Sequence, residues 1–240
     1  MRILTWNLGY WQHSSQHDKA WDYLCNNIKP DIALLQEVKP PSWVPRHTLV
    51  FEEITRGWGT AIYTPSLPLS MEHSSIYPGR VALASTMLGG DGDFPLLIAS
   101  IHAPIINGRV FPHLKNIFAE LESKKYARSV VIGGDLNSAR LCEKVWPGNG
   151  HGPFFERIDS GDPWIDCCRR FNSAEVQTFF RDTCVHPFQD DHIFVSRDLS
   201  GCLRSCNVVK NDLTRSVSDH IPLVAELDFS CAQEFGGQNT

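Results

Sequence analysis

The stretch Val130-Val131-Ile132-Gly133-Gly134-Asp135-Leu136-Asn137 reads as a short buried strand that runs into two glycines and then presents a carboxylate and an amide. A run of β-branched residues favours a strand in an apolar interior. The glycines let neighbouring backbone approach closely. Alternation along the chain points Asp135 and Asn137 to one side. Three other apolar runs end in the same way: Ile3-Leu4-Thr5-Trp6 at Asn7, Ile32-Ala33-Leu34-Leu35-Gln36 at Glu37, and Leu96-Leu97-Ile98-Ala99-Ser100-Ile101 at His102. Two later runs reverse the order. Asp191 precedes His192-Ile193-Phe194-Val195, and Asp219-His220 precedes Ile221-Pro222-Leu223-Val224-Ala225.

If all these ends share one edge, the first four strands run one way and the last two the other. That predicts mixed β-sheets with one functional edge, not a purely parallel doubly wound sheet. Burying such a group of acids without a ligand would be costly, and their repulsion would raise carboxylate pKa values. A bound cation removes both problems.

Between the strands the spacing becomes helical. Residues 18–29 carry Ala20, Trp21, Leu24, Cys25 and Ile28 on one face, with Ser15 as a candidate cap and Pro30 as the stop. Residues 112–124 turn Leu114, Ile117, Phe118 and Leu121 inward, and residues 162–171 suggest a further short helix. Residues 60–63 and 81–87 read as additional strands, and 89–93 as a hairpin loop. The simplest organisation is one α/β (α+β) domain over residues 1–230, followed by a flexible tail at 231–240.

With 240 residues, 42% of them hydrophobic, the chain can build a large core without staples. A net charge of −5 argues against coating nucleic acid by bulk charge and leaves room for a local basic patch. The absence of any run of about 18 apolar residues excludes a conventional membrane-spanning helix. The first residues lack a signal-type apolar run, so a cytoplasmic location is expected. Eight cysteines, with only Cys202 and Cys206 closely paired, read as reduced thiols rather than a disulfide framework or zinc site.

Four segments occur in a telling order: Thr5-Trp6-Asn7-Leu8, Leu35-Gln36-Glu37-Val38, Gly134-Asp135-Leu136-Asn137-Ser138 and Ser218-Asp219-His220-Ile221-Pro222-Leu223. Together they resemble the endonuclease/exonuclease/phosphatase (deoxyribonuclease I-like) superfamily. The resemblance implies a four-layer αββα sandwich of two mixed β-sheets packed face to face, with helices outside. It implies hydrolysis of a phosphate ester by in-line attack of water, with Mg2+ as cofactor and Mn2+ able to substitute. Glu37 and Asn7 are the implied metal ligands, and Asp219 a further ligand to metal or water. Asp135 would position the attacking water or a second metal, and Asn137 would bond a phosphate oxygen. His220, oriented by Asp191, would be the acid–base or electrostatic group. His102 and Arg80 would contact phosphate. Family members commonly carry Arg-Ile-Asp-Tyr-Ile where this chain has Gln189-Asp190-Asp191-His192-Ile193, so Asp190 stands as the alternative partner of His220.

Nucleic acid is the leading substrate. Arg109, His113, Lys115, Lys124, Lys125 and Arg128 place positive charge around the second helix, and Trp11, Trp43, Trp58 and Trp146 lie in loop-like segments suited to base stacking. The alternatives are a phosphatase or phosphodiesterase for a small molecule, lipid headgroup or protein–DNA adduct, and a non-catalytic binding module. Retention of Glu37, Asp135, Asp219 and His220 weighs against the last. The sequence gives no indication of a protein partner.

Overall fold

In the computed structural model, the residues described are 1–88, 94–125, 128–181 and 184–230. The expected hairpin loop at 89–93 and the expected tail at 231–240 lie outside the described residues. Twelve strands are formed among the described residues: β1 (Arg2–Asn7), β2 (Ile32–Val38), β3 (Leu49–Thr55), β4 (Trp58–Tyr63), β5 (Ser70–Glu72), β6 (Val81–Leu88), β7 (Phe94–His102), β8 (Ser129–Asp135), β9 (Trp164–Asp166), β10 (Asp191–Ser196), β11 (Leu203–Val208) and β12 (Leu223–Leu227). They build two six-stranded sheets, in the orders β11-β12-β1-β2-β4-β3 and β5-β6-β7-β8-β10-β9.

β1 and β2 are parallel, as are β7 and β8, while β12 is antiparallel to β1 and β10 to β8. The strand ends predicted these directions. Each parallel pair needs a crossover connection. The first contains α1 (Tyr10–His13) and α2 (His17–Tyr23); the second is α3 (Phe111–Lys124). Three shorter helices follow: α4 (Arg140–Val145), α5 (His151–Asp159) and α6 (Asp212–Val217).

Two local expectations are corrected. Ser15 lies inside a tight turn over Ser14–Gln16 and does not cap α2. Residues 162–171 form no helix. Trp164 and Asp166 pair with Ser196 and Phe194 as β9, and Asp166 Oδ1 then accepts from the backbone N–H groups of Cys168 and Arg169, closing a turn.

Ile3, Ile32, Leu34 and Ile62 of the first sheet pack against Ala84, Leu96, Ile98, Val131 and Ile193 of the second. Each of the buried isoleucine, leucine and valine side chains contributes roughly 1.5–3 kcal/mol. Outside, Trp21 and Leu24 cover Leu4, Trp6, Ala33 and Leu35 of the first sheet. Leu114, Phe118 and Phe155 cover Leu97, Ala99, Val130 and Ile132 of the second. The result is the four-layer sandwich. No helix among the described residues is long and apolar enough to cross a membrane.

Alternation makes the site an extension of the inter-sheet core. The inward row of β1 is Ile3, Thr5, Asn7; of β7, Ile98, Ser100, His102; of β8, Val131, Gly133, Asp135; and of β10 read backwards, Val195, Ile193, Asp191. The first three rows run from apolar through small or neutral polar to polar or charged, and the β10 row passes from apolar directly to Asp191. In the middle band Gln36 Nε2 donates to Ser100 Oγ at 3.0 Å, tying the sheets together. A Cβ at Gly133 would lie 2.5 Å from Leu34 Cδ1 and 3.3 Å from Thr5 Cβ, so any larger residue would have to displace the Leu34 side chain between the sheets.

Candidate active site

Asn7, His102, Asp135 and Asp191 reach the open edge by regular alternation. Glu37 does not. It follows the inward Gln36, so an unbroken strand would turn it toward α2. The β2–β4 register instead shifts between Leu35 and Val38, and Glu37 has a left-handed φ of 46°. That conformation costs a non-glycine residue about 1–2 kcal/mol. This bulge brings Glu37 Oε1 to 3.5 Å from His102 Nε2.

Asp135 is the centre of the constellation. Its Oδ2 accepts from Asn7 Nδ2 at 2.8 Å, and its Oδ1 accepts from the backbone N–H of Asn137 at 2.8 Å. Oδ2 also lies 3.9 Å from His102 Nε2 and 3.8 Å from His220 Nε2. Asn137 reaches the same cleft through this side-chain-to-backbone turn and a left-handed φ of 48°, not by strand alternation as expected. Its amide donates to Ala103 O at 2.9 Å.

His220 Nδ1 bonds Asp191 Oδ2 at 2.8 Å. Asp191, rather than Asp190, is therefore the residue in contact with it, because only Asp191 falls on the inward parity of β10. Burial opposes charge on His220, but Asp191 and Asp135 outweigh it and raise the imidazole well above its ordinary range. Burial pushes the Asp191 carboxyl up, and its Oδ1 has no hydrogen-bond partner. Asp190 is pushed up to about 7 by burial and by Asp135. Ser218 Oγ donates to Asn7 O at 2.7 Å and accepts from the His220 N–H at 3.0 Å, fixing the His220 loop against β1.

Burial pushes His102 down to about 4, so its ring is neutral at pH 7. Arg80 Nη1 lies 2.9 Å from His102 Nδ1 and 3.2 Å from its Nε2, and Nε2 also faces Glu37 and Asp135. Arg80 is brought there because β6 begins opposite the end of β7, with Val81 paired to Ile101. Asp219 also lines the cleft.

The cleft has a volume of about 510 Å³. Its walls include residues that the sequence reading passed over: Phe179, Arg181 and Ile105. Phe179 stands 5.0 Å from the His220 ring and pairs with it as a lone β-bridge. No periodic pattern marks residues 172–190, so only this pairing reveals them. Trp11 and Trp58 line the cleft, although Trp58 begins a strand instead of lying in a loop. Trp43 packs edge-on against Trp21, and Trp146 stacks on Phe188; neither lines it. The six basic residues around the second helix do not line it either. β7 and β8 both end at the cleft, so the C-terminal end of α3 lies at the opposite edge. There Lys124 meets Glu120 and Arg128 meets Glu72.

The donors fit a hard divalent cation. Burial, then the neighbouring Asp135, push the Glu37 carboxyl up to about 7, a cost that a cation would relieve. Magnesium takes one or two carboxylates and keeps several waters. That demand suits Glu37 with Asn7 and Asp219; among the described residues no three His, Cys, Asp or Glu side chains converge as a ready-made metal site.

Solved structures share this architecture. A 3′ phosphatase, NExo, from Neisseria bound to a product DNA hairpin superposes with a TM-score of 0.68 at 20% identity, over 95% of this chain and 99% of that one. The endonuclease domain of TRAS1, a telomere-specific non-LTR retrotransposon, gives 0.67 at 18% identity, over 94% and 97%. The catalytic domain of Xenopus laevis APE2 gives 0.70 at 16%, over 95% and 92%. At these identities the likeness is one of fold. No curated protein matches the chain. Residues 4–220 match the sequence profile of the Endonuclease/Exonuclease/phosphatase family, and the chain belongs to that family.

Proposed function

We propose that this protein is a divalent-metal-dependent phosphoesterase acting on nucleic-acid phosphodiesters, with residues 1–230 as one catalytic domain. The observation that carries the reading is the meeting of Glu37, His102 and the Asp191–His220 pair around one carboxylate, Asp135, in an open cleft. Enzymes of this family generally use divalent metals. Magnesium or manganese suits the oxygen donors here. DNA is favoured by the solved relatives, one of which is bound to a DNA hairpin. The free thiols of Cys25, Cys142, Cys167, Cys168, Cys184 and Cys206 are in keeping with a cytosolic setting.

Glu37 and Asn7, with Asp219, would hold the ion. When bound, it would stabilise charge on the phosphate and on the leaving oxygen. Asp135, fixed by Asn7 and Asn137, orients a water for attack on phosphorus and accepts its proton. The new O–P bond forms as the opposite ester P–O bond breaks, and the leaving alkoxide takes a proton from solvent water to depart as an alcohol. His220 enters as an imidazolium and donates from Nε2 to a phosphate oxygen; Asp191 holds Nδ1. Neutral His102 donates from Nε2, and Arg80 and Asn137 complete the set of donors. Such preorganised donors are worth most where charge develops.

The test is cleavage of plasmid and single-stranded oligonucleotides with Mg2+, Mn2+ or EDTA, beside Glu37→Ala and His220→Ala. Metal-dependent cutting that both substitutions abolish is expected. Release of phosphate from a small ester with neither polymer cut would replace the nuclease reading with a small-molecule phosphoesterase. No hydrolysis of any phosphoester with either metal would overturn the proposal.

A further inference from the structure

We infer that a strip of aromatic and cationic side chains on the His220 side of the cleft, Phe180, Arg181, Lys210 and Arg215, binds the phosphate backbone of the nucleic-acid strand leaving the scissile position. This rests on the nucleic-acid reading above.

The strip starts at the cleft wall with Arg181 and extends outward through Phe180, Lys210 and Arg215, which lie beyond the cleft lining. Phe180 N–H donates to Asp219 O at 2.7 Å, and Val209 N–H donates to Pro222 O at 2.8 Å. Both segments are thereby held against the turn that carries His220. Phe179 faces the His220 ring, so alternation sends Phe180 the other way. There its ring carries Lys210 Nζ at 4.8 Å and Arg215 Cζ at 4.2 Å from the centroid. Arg181 lines the cleft itself. Arg181, Lys210 and Arg215 are all exposed.

These cations differ from Lys124 and Arg128 at the C-terminal end of α3. Among the described residues none of the three makes an ion pair, whereas Lys124, Arg128 and Arg157 meet Glu120, Glu72 and Glu122. Paired cations are already neutralised. Unpaired ones are available for phosphate, and the Phe180 ring restrains two of them before any strand arrives. A chain of net charge −5 needs such a local concentration to hold a polyanion.

The test is fluorescence anisotropy with one labelled sequence, as a single-stranded oligodeoxynucleotide and as the oligoribonucleotide, in EDTA across a KCl series. Each phosphate contact adds about 0.7 to the slope of log K against log salt for single strands. Lys210→Ala with Arg215→Ala should lower the slope by roughly 1.4. Lys210→Met with Arg215→Met, which keeps side chains packed on the ring, should do the same. Lys124→Ala with Lys125→Ala changes net charge equally and should leave the slope unchanged. Thermal unfolding checks that each variant folds. An unchanged slope in both Lys210 and Arg215 variants, with either oligomer, overturns the inference, as does an equal fall in the Lys124 and Lys125 variant. If the wild type binds neither oligomer yet hydrolyses a small phosphoester, the nucleic-acid reading itself has failed. Loss confined to one oligomer supports the strip and identifies the polymer.

Discussion

β1 and β2 in one sheet and β7 and β8 in the other are each a parallel pair joined across a helical layer, and each ends in one neutral group and one acid. The first pair delivers Asn7 and Glu37, the second His102 and Asp135. The sheet orders correspond around these pairs, with antiparallel strands on both flanks. The acids arrive differently. Asp135 lies on the regular inward row and has two hydrogen-bonded oxygens. Glu37 arrives through a left-handed bulge, and its carboxyl is raised to about 7. A well-satisfied, immobile carboxylate suits holding a water. A strained and poorly solvated one suits holding a cation that relieves its charge. The same scaffold position thus yields two chemistries according to whether the strand is kinked.

The sharpest way to break this contrast is a pair of substitutions read against metal concentration. Asp135→Asn should lower kcat on the order of 10³-fold, with no recovery at high Mg2+. Glu37→Gln should lose activity at low metal and regain part of it as Mg2+ rises. Rescue of Asp135→Asn by metal, or indifference of Glu37→Gln to it, would dissolve the distinction.

The second is stability in EDTA. A carboxyl raised from 4.5 to about 7 binds its proton more tightly in the folded state. Metal-free protein should therefore lose stability as pH rises from 4.5 through 7, with no further loss from this group above that. Urea unfolding at pH 5 and pH 8 should show the loss, and Glu37→Gln should reduce it by roughly 3 kcal/mol at most, leaving the share that comes from Asp190. Adding Mg2+ should stabilise the wild type chiefly at the higher pH.

Next, Asp191→Asn should lower kcat on the order of 10²-fold, while Asp190→Asn leaves it near wild type. The reverse ranking would show that inward parity does not select the partner of His220. Smallest is Gly133→Ala, which pushes against Leu34 and Thr5. It should cost about 1–3 kcal/mol in unfolding free energy and lower kcat by separating the two halves of the site.

Strand directions were legible because polar residues interrupt otherwise apolar runs at consistent ends. The bulge was not. Nothing in Leu35-Gln36-Glu37-Val38 calls for a left-handed residue, and the conformation is stabilised by surroundings on another strand. Asn137 was legible as a phosphate ligand, and it closes a turn with Asp135 while lining the cleft. Phe179 and Arg181 were hidden because their segment has no periodicity of its own and is held by pairing with residues about forty positions later. The placement of Lys124, Lys125 and Arg128 was not legible, because spacing along the chain does not say which end of a helix faces the cleft.

The inward rows that begin as Ile3, Ile98 and Val131 and end as Asn7, His102 and Asp135 leave little neutral ground for engineering. Thr5, Gln36, Ser100 and Gly133 are the obvious places to add apolar volume for heat resistance. They are also the joint on which both halves of the site are aligned. A search for a hardier enzyme would do better on the outer helical layers, where Trp21 and Phe118 pack, since gains made there need not be transmitted to the chemistry.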